Sequence, residues 1–346
     1  MKREKRSSVL IIYTGGTIGM VQNSSTRSFE PFNFSQIEAK VPELKRLDCK
    51  VSTVQFDPPL DSSDISPADW VRMAEIIGEN YEKYNGFVVL HGTDTMAYSA
   101  SALSFMLENL HKPVIFTGAQ LPIGTRRSDG RENLLTAIEI ASAEQNHEPV
   151  VPEVCVYFEN RLYRGNRATK HSAEYFNAFQ AFNYPTLAQV GVHIKFNFAT
   201  INYVPLTKPF RIHTKLDDSI TILKIFPGIT REVVASILQT PNIKAVILES
   251  FGAGNAPNQP WFTEEIQAII KKGVIVLNVS QCNAGSVEMG RYKTSEALLK
   301  AGVISGYDIT TEAALAKLMF LLGKGISHEA LISELNRSIS GEITLS

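Results

Sequence analysis

Short apolar runs alternate with longer amphipathic stretches through the first half of the chain. A short apolar run bounded by turn residues is typical of a buried strand, and a longer run with helical periodicity is typical of a helix. The predicted strands are residues 9–13, 51–56, 86–91, 114–117 and 154–158, and the predicted helices open at Ser66-Pro67-Ala68-Asp69 and cover 95–110 and 131–144. This alternation predicts a parallel sheet with helices on both faces.

The helical periodicity fades between residues 196 and 218, where Pro205 and Pro209 interrupt the pattern. Prolines in a stretch without periodicity favour a linker between domains. Beyond it, strands are predicted at 220–226, 245–249 and 274–279, with helices at 231–238 and 263–272 and from Ser295, Thr311 and His328. We therefore expect two α/β domains, residues 1–198 and 220–346, joined by a linker over 199–219.

The charge and cysteine content narrow the class of partner. The 34 basic and 35 acidic residues nearly cancel, so the chain lacks the positive field typical of proteins that bind nucleic acid or anionic membranes. Cys49, Cys155 and Cys282 form no close pair, which argues against a disulfide framework or a cysteine zinc site and favours a reducing compartment. The first apolar run, Val9 to Tyr13, is interrupted by Thr14 and is too short for a signal peptide or a membrane span. We expect a cytoplasmic protein that binds a small neutral or zwitterionic molecule.

A glycine-rich segment, Thr14-Gly15-Gly16-Thr17-Ile18-Gly19, directly follows the first predicted strand. Ligands of open parallel sheets bind beyond the carboxyl ends of the strands, and glycines there let the backbone turn sharply and approach a ligand. The spacing fits neither the dinucleotide fingerprint nor the phosphate loop, because no G-x-G-x-x-G and no Gly-Lys-Ser or Gly-Lys-Thr is present. An ordinary glycine turn is the alternative that the segment alone leaves open.

Three further polar segments lie where strands end or loops are predicted. Each has an ordinary structural explanation when taken alone. Asp94 or Thr95 could cap a helix, His91 could be packed, Asp61 to Asp64 could form a turn, and Lys170 could be a solvated charge. The segments are His91-Gly92-Thr93-Asp94-Thr95, Asp61-Ser62-Ser63-Asp64 and Gly165-Asn166-Arg167-Ala168-Thr169-Lys170.

Together these residue types are suited to covalent acyl transfer. A threonine hydroxyl is a poor nucleophile until a base such as a lysine takes its proton, and the reaction also needs hydrogen-bond donors for the oxyanion. The sequence contains no His-x-x-x-His and no dense carboxylate cluster, so no catalytic metal and no cofactor is predicted.

Two of the segments, Thr14 to Gly19 and His91 to Met96, resemble the signature motifs of the bacterial-type L-asparaginase family, and the cytoplasmic type I branch in particular. The resemblance implies a larger N-terminal and a smaller C-terminal α/β domain, L-asparagine as substrate, and a homotetramer built as a dimer of dimers with active sites at the intimate dimer interface. It extends through Asp61 to Asp64, Thr117-Gly118-Ala119-Gln120, Arg127-Ser128-Asp129-Gly130, Arg161 to Arg167 and Gly254-Asn255-Ala256-Pro257.

The resemblance also implies a role for each matching residue. Thr17 corresponds to the nucleophile that forms a β-aspartyl enzyme, and Thr93 and Lys170 correspond to the residues that assist proton transfer. Asp94 matches the residue that binds the substrate's α-amino group. The remaining matches border the pocket or bind the substrate ends and side-chain amide; they are Gly16, Asp61, Ser62 and Ala119.

Two departures from the family pattern stand out. The segment expected to form a lid, residues 20–34, contains no tyrosine, and Phe29 is its aromatic residue nearest the usual tyrosine position; phenylalanine has no hydroxyl to help position Thr17. Thr169 and Cys282 match two residues of an activating asparagine site, but its arginine is replaced by Glu249. A carboxylate repels the effector's carboxylate, so we expect weak or absent activation by asparagine.

Two other functions remain open at this point. The amidase subunit of an archaeal-type tRNA-dependent amidotransferase shares the motifs, but such subunits carry an extra domain before the first motif, and only 13 residues precede Thr14 here. A non-catalytic amino-acid sensor could keep the fold, but it would need neither a second threonine nor the lysine. Release of ammonia from asparagine separates both from an asparaginase.

Overall fold

The computed structural model describes residues 6–22, 29–31, 41–291 and 293–345. The chain divides into two compact units, one formed by Met1–Ala181 with Pro185–Thr214 and the other by Phe182–Tyr184 with Lys215–Ser346. The change from the first unit to the second after Thr214 falls inside the predicted linker, residues 199–219.

The described residues form both strands and helices in each unit. The strands are β1 (Ser8–Gly15), β2 (Met20–Gln22), β3 (Phe29–Pro31), β4 (Lys50–Leu60), β5 (Gly86–Leu90), β6 (Leu107–Glu108), β7 (Val114–Thr117), β8 (Glu144–Gln145), β9 (Glu148–Pro149), β10 (Val154–Phe158), β11 (Arg161–Arg164), β12 (Thr169–Lys170), β13 (Phe179–Gln180), β14 (Ala188–Val190), β15 (Ile194–Phe196), β16 (Arg211–Ile212), β17 (Ile220–Lys224), β18 (Ala245–Ser250), β19 (Ile275–Ser280) and β20 (Ile304–Ser305). The helices are α1 (Pro67–Asn80), α2 (Met96–Met106), α3 (Gly130–Ser142), α4 (Arg231–Leu238), α5 (Pro260–Ile270), α6 (Lys293–Ala301), α7 (Thr311–Gly323) and α8 (His328–Leu335).

The main sheet of the first unit has the strand order β15-β14-β11-β10-β7-β5-β1-β4. The strands from β10 to β4 pair in parallel. The apolar runs of β10, β7, β5 and β1 are buried, as predicted for parallel strands covered on both faces, whereas β4 at the end of the strand order carries several exposed polar residues. The sheet continues with antiparallel pairing from β10 to β11, β14 and β15. The turn from β10 to β11 holds Glu159 and Asn160 at φ values of 40° and 64°, which suits a two-residue hairpin.

Helix boundaries follow local hydrogen bonding. Helix α1 begins at Pro67, and the backbone N–H and hydroxyl of Ser66 donate to the Asp69 carboxylate at 2.9 and 2.7 Å, so this start is as predicted. Helix α2 ends at Met106 rather than at residue 110, because Leu107 and Glu108 leave the helix and pair with β16. The prediction of a helix over 95–110 was therefore too long at its carboxyl end.

Residues 199–214 belong to the first unit and make specific contacts with it. The hydroxyl of Tyr203 donates to the Val150 carbonyl at 2.8 Å, and the backbone N–H of Asn202 donates to the Glu153 carboxylate at 2.5 Å. Glu153 also pairs with Arg164 at 2.6 Å, and both side chains are nearly inaccessible. These contacts tie the segment to strand β11 and its neighbours.

The second unit contains a parallel sheet with the order β17-β18-β19-β20. Its apolar core includes Leu223, Val246, Leu248 and Phe262, all fully buried. The buried ion pair of Lys317 with Glu342, 2.7 Å long, lies in the same unit. No helix among the described residues has the length and apolar character needed to cross a membrane.

Candidate active site

The polar segments singled out in the sequence meet at one edge of the main sheet. Strands β7, β5, β1 and β4 are neighbours in that order and run parallel, so their carboxyl ends lie at the same edge. The residues that follow them are Ala119 after β7, Thr93 and Asp94 after β5, Thr17 after β1, and Asp61 and Ser62 after β4. This edge therefore gathers residues that are far apart in sequence.

Glycine at position 16 is required by close packing between two of these segments. Gly16 has a φ of 85°, and a Cβ atom there would lie 2.5 Å from the backbone nitrogen of Gly92, a separation that a real side chain cannot adopt. The chain then forms a single 3-10 turn from Thr17 to Gly19. The geometry explains why the glycine-rich segment is more than an ordinary turn: it brings the half-buried Thr17 beside the segment that carries Thr93.

Lys170 joins Thr93 and Asp94 in a hydrogen-bonded cluster. The Lys170 ammonium donates to Thr93 Oγ1 at 2.8 Å and to Asp94 Oδ1 at 2.5 Å. Thr93 Oγ1 in turn donates to Gln120 Oε1 at 3.3 Å. The Lys170 side chain is 17% exposed and that of Asp94 is 65% exposed. Lys170 is therefore not simply a solvated surface charge, which was the alternative left open by its sequence alone.

Local packing places Lys170 at this position. After β11 the chain forms a 3-10 turn, Gly165–Arg167, whose residues are all buried. A Cβ atom on Gly165 would lie 3.2 Å from the Ala100 side chain of α2, so glycine allows this turn to lie against the helix. The following strand β12 pairs antiparallel with β13, which fixes the backbone from which the Lys170 side chain extends.

Asp61 and Ser62 follow the carboxyl end of β4 as neighbours with different environments. The Asp61 side chain caps the turn Ser62–Asp64, accepting hydrogen bonds from the backbone N–H and the hydroxyl of Ser63, both at 2.9 Å. These hydrogen bonds lower the pKa of the Asp61 carboxyl below its usual value, and the bond from the Ser63 backbone has the larger effect. Ser62 is buried, and its carbonyl accepts a 2.6 Å hydrogen bond from Thr95 Oγ1. Asp61 is thus an exposed anion beside a firmly held loop.

Ala119 is buried in a loop whose backbone is held on both sides. The Asn133 side-chain amide donates to the Gly118 carbonyl at 3.0 Å, and the backbone N–H of Gln120 donates to the Asp129 carboxylate at 3.0 Å. Gln120 and Asp129 lie in motifs of the family resemblance that imply no role for them. No local pattern signals these contacts, since they depend on segments that meet only in the folded chain.

Most of the predicted lid, residues 20–34, lies outside the described residues. Phe29 begins the short strand β3, which pairs antiparallel with β2, and its side chain lies outside the described part. In the ranges that the structure describes, no group of three or more His, Cys, Asp or Glu side chains is arranged to hold a metal ion.

The residues matched to an activating site are divided between the units. Thr169 lies in β12 of the first unit, whereas Glu249 and Cys282 belong to the second. Glu249 Oε1 accepts a 2.7 Å hydrogen bond from Thr311 Oγ1, and Glu249 Oε2 lies 3.4 Å from Lys224 Nζ. The Glu249 carboxylate is thus engaged within its own unit, and Cys282 is exposed.

Comparisons with known proteins cover both units. The family model described as "Asparaginase, N-terminal" matches residues 8–202, and that described as "Glutaminase/Asparaginase C-terminal domain" matches residues 219–333. L-asparaginase 1 of Escherichia coli K12 is 43% identical over 344 residues, covering 98% of this chain and 99% of that protein. A human 60 kDa lysophospholipase is 40% identical over 358 residues, covering 97% of this chain and 61% of that protein. The crystal structure of L-asparaginase I from Vibrio cholerae is 43% identical, covers 99% of this chain and all of that one, and superposes with a TM-score of 0.90.

Proposed function

Because the chain belongs to the asparaginase family, we propose that it hydrolyses L-asparagine to L-aspartate and ammonia through an acyl-threonine intermediate. The observation that carries the proposal is the Lys170, Thr93 and Asp94 cluster at the sheet edge where the glycine turn presents Thr17. A mostly buried lysine side chain that contacts a threonine hydroxyl suits proton transfer in acyl transfer chemistry. The reaction uses neither a metal nor a cofactor.

In the first step, Thr17 Oγ1 attacks the side-chain carbonyl carbon of asparagine. The C–N bond breaks as the tetrahedral intermediate collapses, the leaving nitrogen takes up a proton and departs as ammonia, and a β-aspartyl ester on Thr17 remains. Water then attacks the ester carbonyl, which releases aspartate and restores the Thr17 hydroxyl. We propose that main-chain N–H groups near Ala119 and the glycine turn stabilise the negative charge that develops on the carbonyl oxygen.

Proton transfer is assigned to Lys170 and Thr93. The side chain of Lys170 is mostly buried and lies 2.8 Å from Thr93 Oγ1, so a proton can pass between them without a change in fold. Lysine acts as a base only in its neutral form, in which it accepts the Thr93 proton rather than donating to the oxygen. As Thr17 attacks, its proton passes to Thr93 Oγ1 while the Thr93 proton passes to neutral Lys170, and the reverse transfer supplies the proton that the leaving nitrogen takes up. The Asp94 carboxylate stabilises the ammonium that forms on Lys170 during the step and leaves its exposed face for the substrate's α-amino group.

The ends of the substrate are assigned to the loop that follows β4. Asp61 is suited to bind the α-ammonium because its lowered pKa keeps it ionised, and Ser62 is suited to bind the α-carboxylate by hydrogen bonding. Fixing both ends of a short zwitterion sets the distance from those ends to Thr17. Glutamine is longer by one methylene, so its carbonyl is displaced from the nucleophile.

The test is ammonia and aspartate release by the purified protein, measured separately with L-asparagine and L-glutamine. We expect equimolar ammonia and aspartate, with kcat/KM for glutamine lower by about tenfold or more, the usual effect of one misplaced methylene. Binding of asparagine without ammonia release would favour an amino-acid sensor. Ammonia release that requires a partner protein would favour an amidotransferase subunit, and fatty-acid release from a lysophospholipid without asparagine turnover would overturn the assignment.

Assembly and location are proposed on the family resemblance. We propose a homotetramer built as a dimer of dimers, and exposed apolar side chains of the first unit such as Val192, Phe198 and Leu206 are compatible with burial against another copy. A cytoplasmic location is supported by the three cysteines, which are all free.

Asparagine is expected not to activate the enzyme. Where an activating site would need an arginine to bind the effector carboxylate, Glu249 presents a like charge that is already bound by Thr311 and Lys224. Initial rates should follow a hyperbola in asparagine with a Hill coefficient of about 1. A Cys282→Ala variant serves as the matched control and should give the same curve. A sigmoidal curve that becomes hyperbolic in Cys282→Ala or Glu249→Gln would contradict this prediction.

A further inference from the structure

A buried chain of hydrogen bonds lies behind the segment that carries Thr93. The imidazole of His91 is fully inaccessible, with Nε2 at 2.9 Å from Ser99 Oγ and Nδ1 at 2.7 Å from the Gly92 carbonyl. The indole N–H of Trp70 donates to the same Ser99 oxygen at 2.9 Å. The chain thus starts on α1, passes through α2 and ends on the backbone of the active-site segment.

The donors and acceptors of this chain have a single consistent direction. A carbonyl oxygen only accepts, so His91 Nδ1 must donate to Gly92; in the neutral ring Nε2 then accepts from the Ser99 hydroxyl, whose oxygen accepts from the Trp70 indole N–H. Nε2 is then an acceptor, and Nδ1 carries the ring proton and donates to the Gly92 carbonyl. Burial lowers the pKa of His91 to about 4, although the hydrogen bond to Gly92 and the charge of Asp69 act in the opposite direction. The ring is therefore neutral at neutral pH, as this direction requires.

Gly92 is the point where two segments of the candidate site touch a third. A Cβ atom on Gly16 would lie 2.5 Å from the Gly92 nitrogen, and a Cβ atom on Gly92 would lie 2.4 Å from Ser62 Oγ. Gly92 therefore packs directly against Gly16, which precedes Thr17, and against Ser62. Gly92 itself precedes Thr93. A shift of the Gly92 backbone would change the spacing between Thr17 and Thr93, whereas the loop of Ser62 has its own hydrogen bonds from Ser63 and Thr95.

We propose that Trp70, Ser99 and His91 are positioning residues for the hydrolysis of asparagine, and that their hydrogen-bond chain holds Gly92 so that Thr17 and Thr93 keep their productive spacing. This inference rests on the proposed function. None of the three side chains needs to touch the substrate. Their effect is expected on kcat, because Asp61 and the Ser62 carbonyl are held separately by Ser63 and Thr95, which preserves much of the substrate binding.

Helix α2 provides a matched pair of variants. Ser99 and Ser101 are both fully buried on this helix, but the Ser101 hydroxyl has no hydrogen-bond partner within the described ranges, whereas Ser99 has two. Ser99→Ala is expected to lower kcat by about tenfold to a hundredfold with KM changed by less than about threefold, since small displacements of reacting groups have effects of this size. Ser101→Ala should retain the wild-type kcat.

A spectroscopic measurement separates positioning from a general loss of packing. In protein labelled with 15N-histidine, His91, assigned through His91→Gln, should show the tautomer protonated at Nδ1. Ser99→Ala should move this signal toward a mixture of tautomers, and Ser101→Ala should not. If Ser99→Ala does not fold by circular dichroism, Trp70→Phe carries the same test, with a smaller fall in kcat expected in the same direction.

The outcomes are distinct for the inference and for the function on which it rests. Wild-type protein without ammonia release would defeat the proposed function itself. If the wild type is active and Ser99→Ala keeps its kcat, as Ser101→Ala is expected to do, the positioning role is overturned and the asparaginase assignment stays intact. If Ser99→Ala does not fold, a folded Trp70→Phe with the wild-type kcat leads to the same conclusion. A His91 signal that shows the Nε2-protonated tautomer in the wild type would also overturn it.

Discussion

Replacing Thr17 by valine is expected to lower kcat for asparagine hydrolysis by about a thousandfold or more, as the loss of a covalent nucleophile does in other acyl-transfer enzymes. Valine has the shape of threonine but no hydroxyl, so the acyl intermediate cannot form. Ammonia release under saturating asparagine measures the effect directly. Mass spectrometry of acid-quenched wild type should show the mass of a β-aspartyl group on the peptide that contains Thr17.

Thr14 supplies the matched control in the same glycine-rich segment. Its hydroxyl is buried and donates to the Leu90 carbonyl at 3.0 Å, so it is structural rather than reactive in our assignment. Thr14→Val removes one buried hydrogen bond and should lower stability by about 1–3 kcal/mol while kcat stays within severalfold of wild type. A Thr17→Val protein that keeps most of its activity, or a Thr14→Val protein that loses it while folded, would show that the wrong threonine has been named.

Most of the parallel part of the fold was predictable from the chain because its inner strands are apolar on both faces. Strand β5, for example, is a continuous buried run from Gly86 to Leu90, and such a run cannot lie at a solvent-exposed face. The antiparallel extension was not predicted. Its hairpin turns at Glu159 and Asn160, which adopt positive φ values without the glycine that usually signals such a turn.

Contacts between segments that are distant in sequence could not be predicted from local patterns either. The periodicity of α2 continues into Leu107 and Glu108, but these residues pair with β16, a contact that no local propensity contains. The same holds at the candidate site. Lys170 and Thr93 are 77 positions apart, so the residues alone left Lys170 as a surface charge, and the family resemblance was needed to bring the two together in advance.

Some residues of the site were visible only in the folded chain. Thr95 reads as a helix cap in the sequence, yet its hydroxyl donates to the Ser62 carbonyl across 33 positions at 2.6 Å. His91 reads as a packed histidine, and it is one, but its ring also reaches the backbone of Gly92. Both side chains hydrogen-bond to backbone carbonyls and have no assigned contact with the substrate. Side chains in such roles have no characteristic spacing in a sequence.

Replacing Lys170 by methionine is expected to lower kcat by about a hundredfold to ten-thousandfold, the range attributed to general acid–base groups. Methionine keeps the length of the side chain and removes the ammonium that contacts Thr93 and Asp94. Stability should change by only about 1 kcal/mol, because solvent screens the ion pair at its exposed partner, Asp94, which is 65% exposed, and methionine keeps the packing of the lysine stem. Ammonia release and thermal unfolding of the same preparation measure the two effects together.

The decisive comparison for Lys170 is with Thr93→Val and with the double variant. If the lysine acts through the threonine hydroxyl, each single change disables the same proton path, and the double variant should be little slower than the slower single variant. Multiplicative losses would mean that Lys170 and Thr93 act on different steps, despite the 2.8 Å contact between them.

Lys112, which donates to the Tyr84 carbonyl at 2.9 Å and has no role in the proposed site, gives the control: Lys112→Met should affect stability and leave kcat near the wild-type value. A Lys170→Met enzyme with wild-type kcat would remove the base from the mechanism and leave Thr17 without the proton acceptor that its chemistry requires.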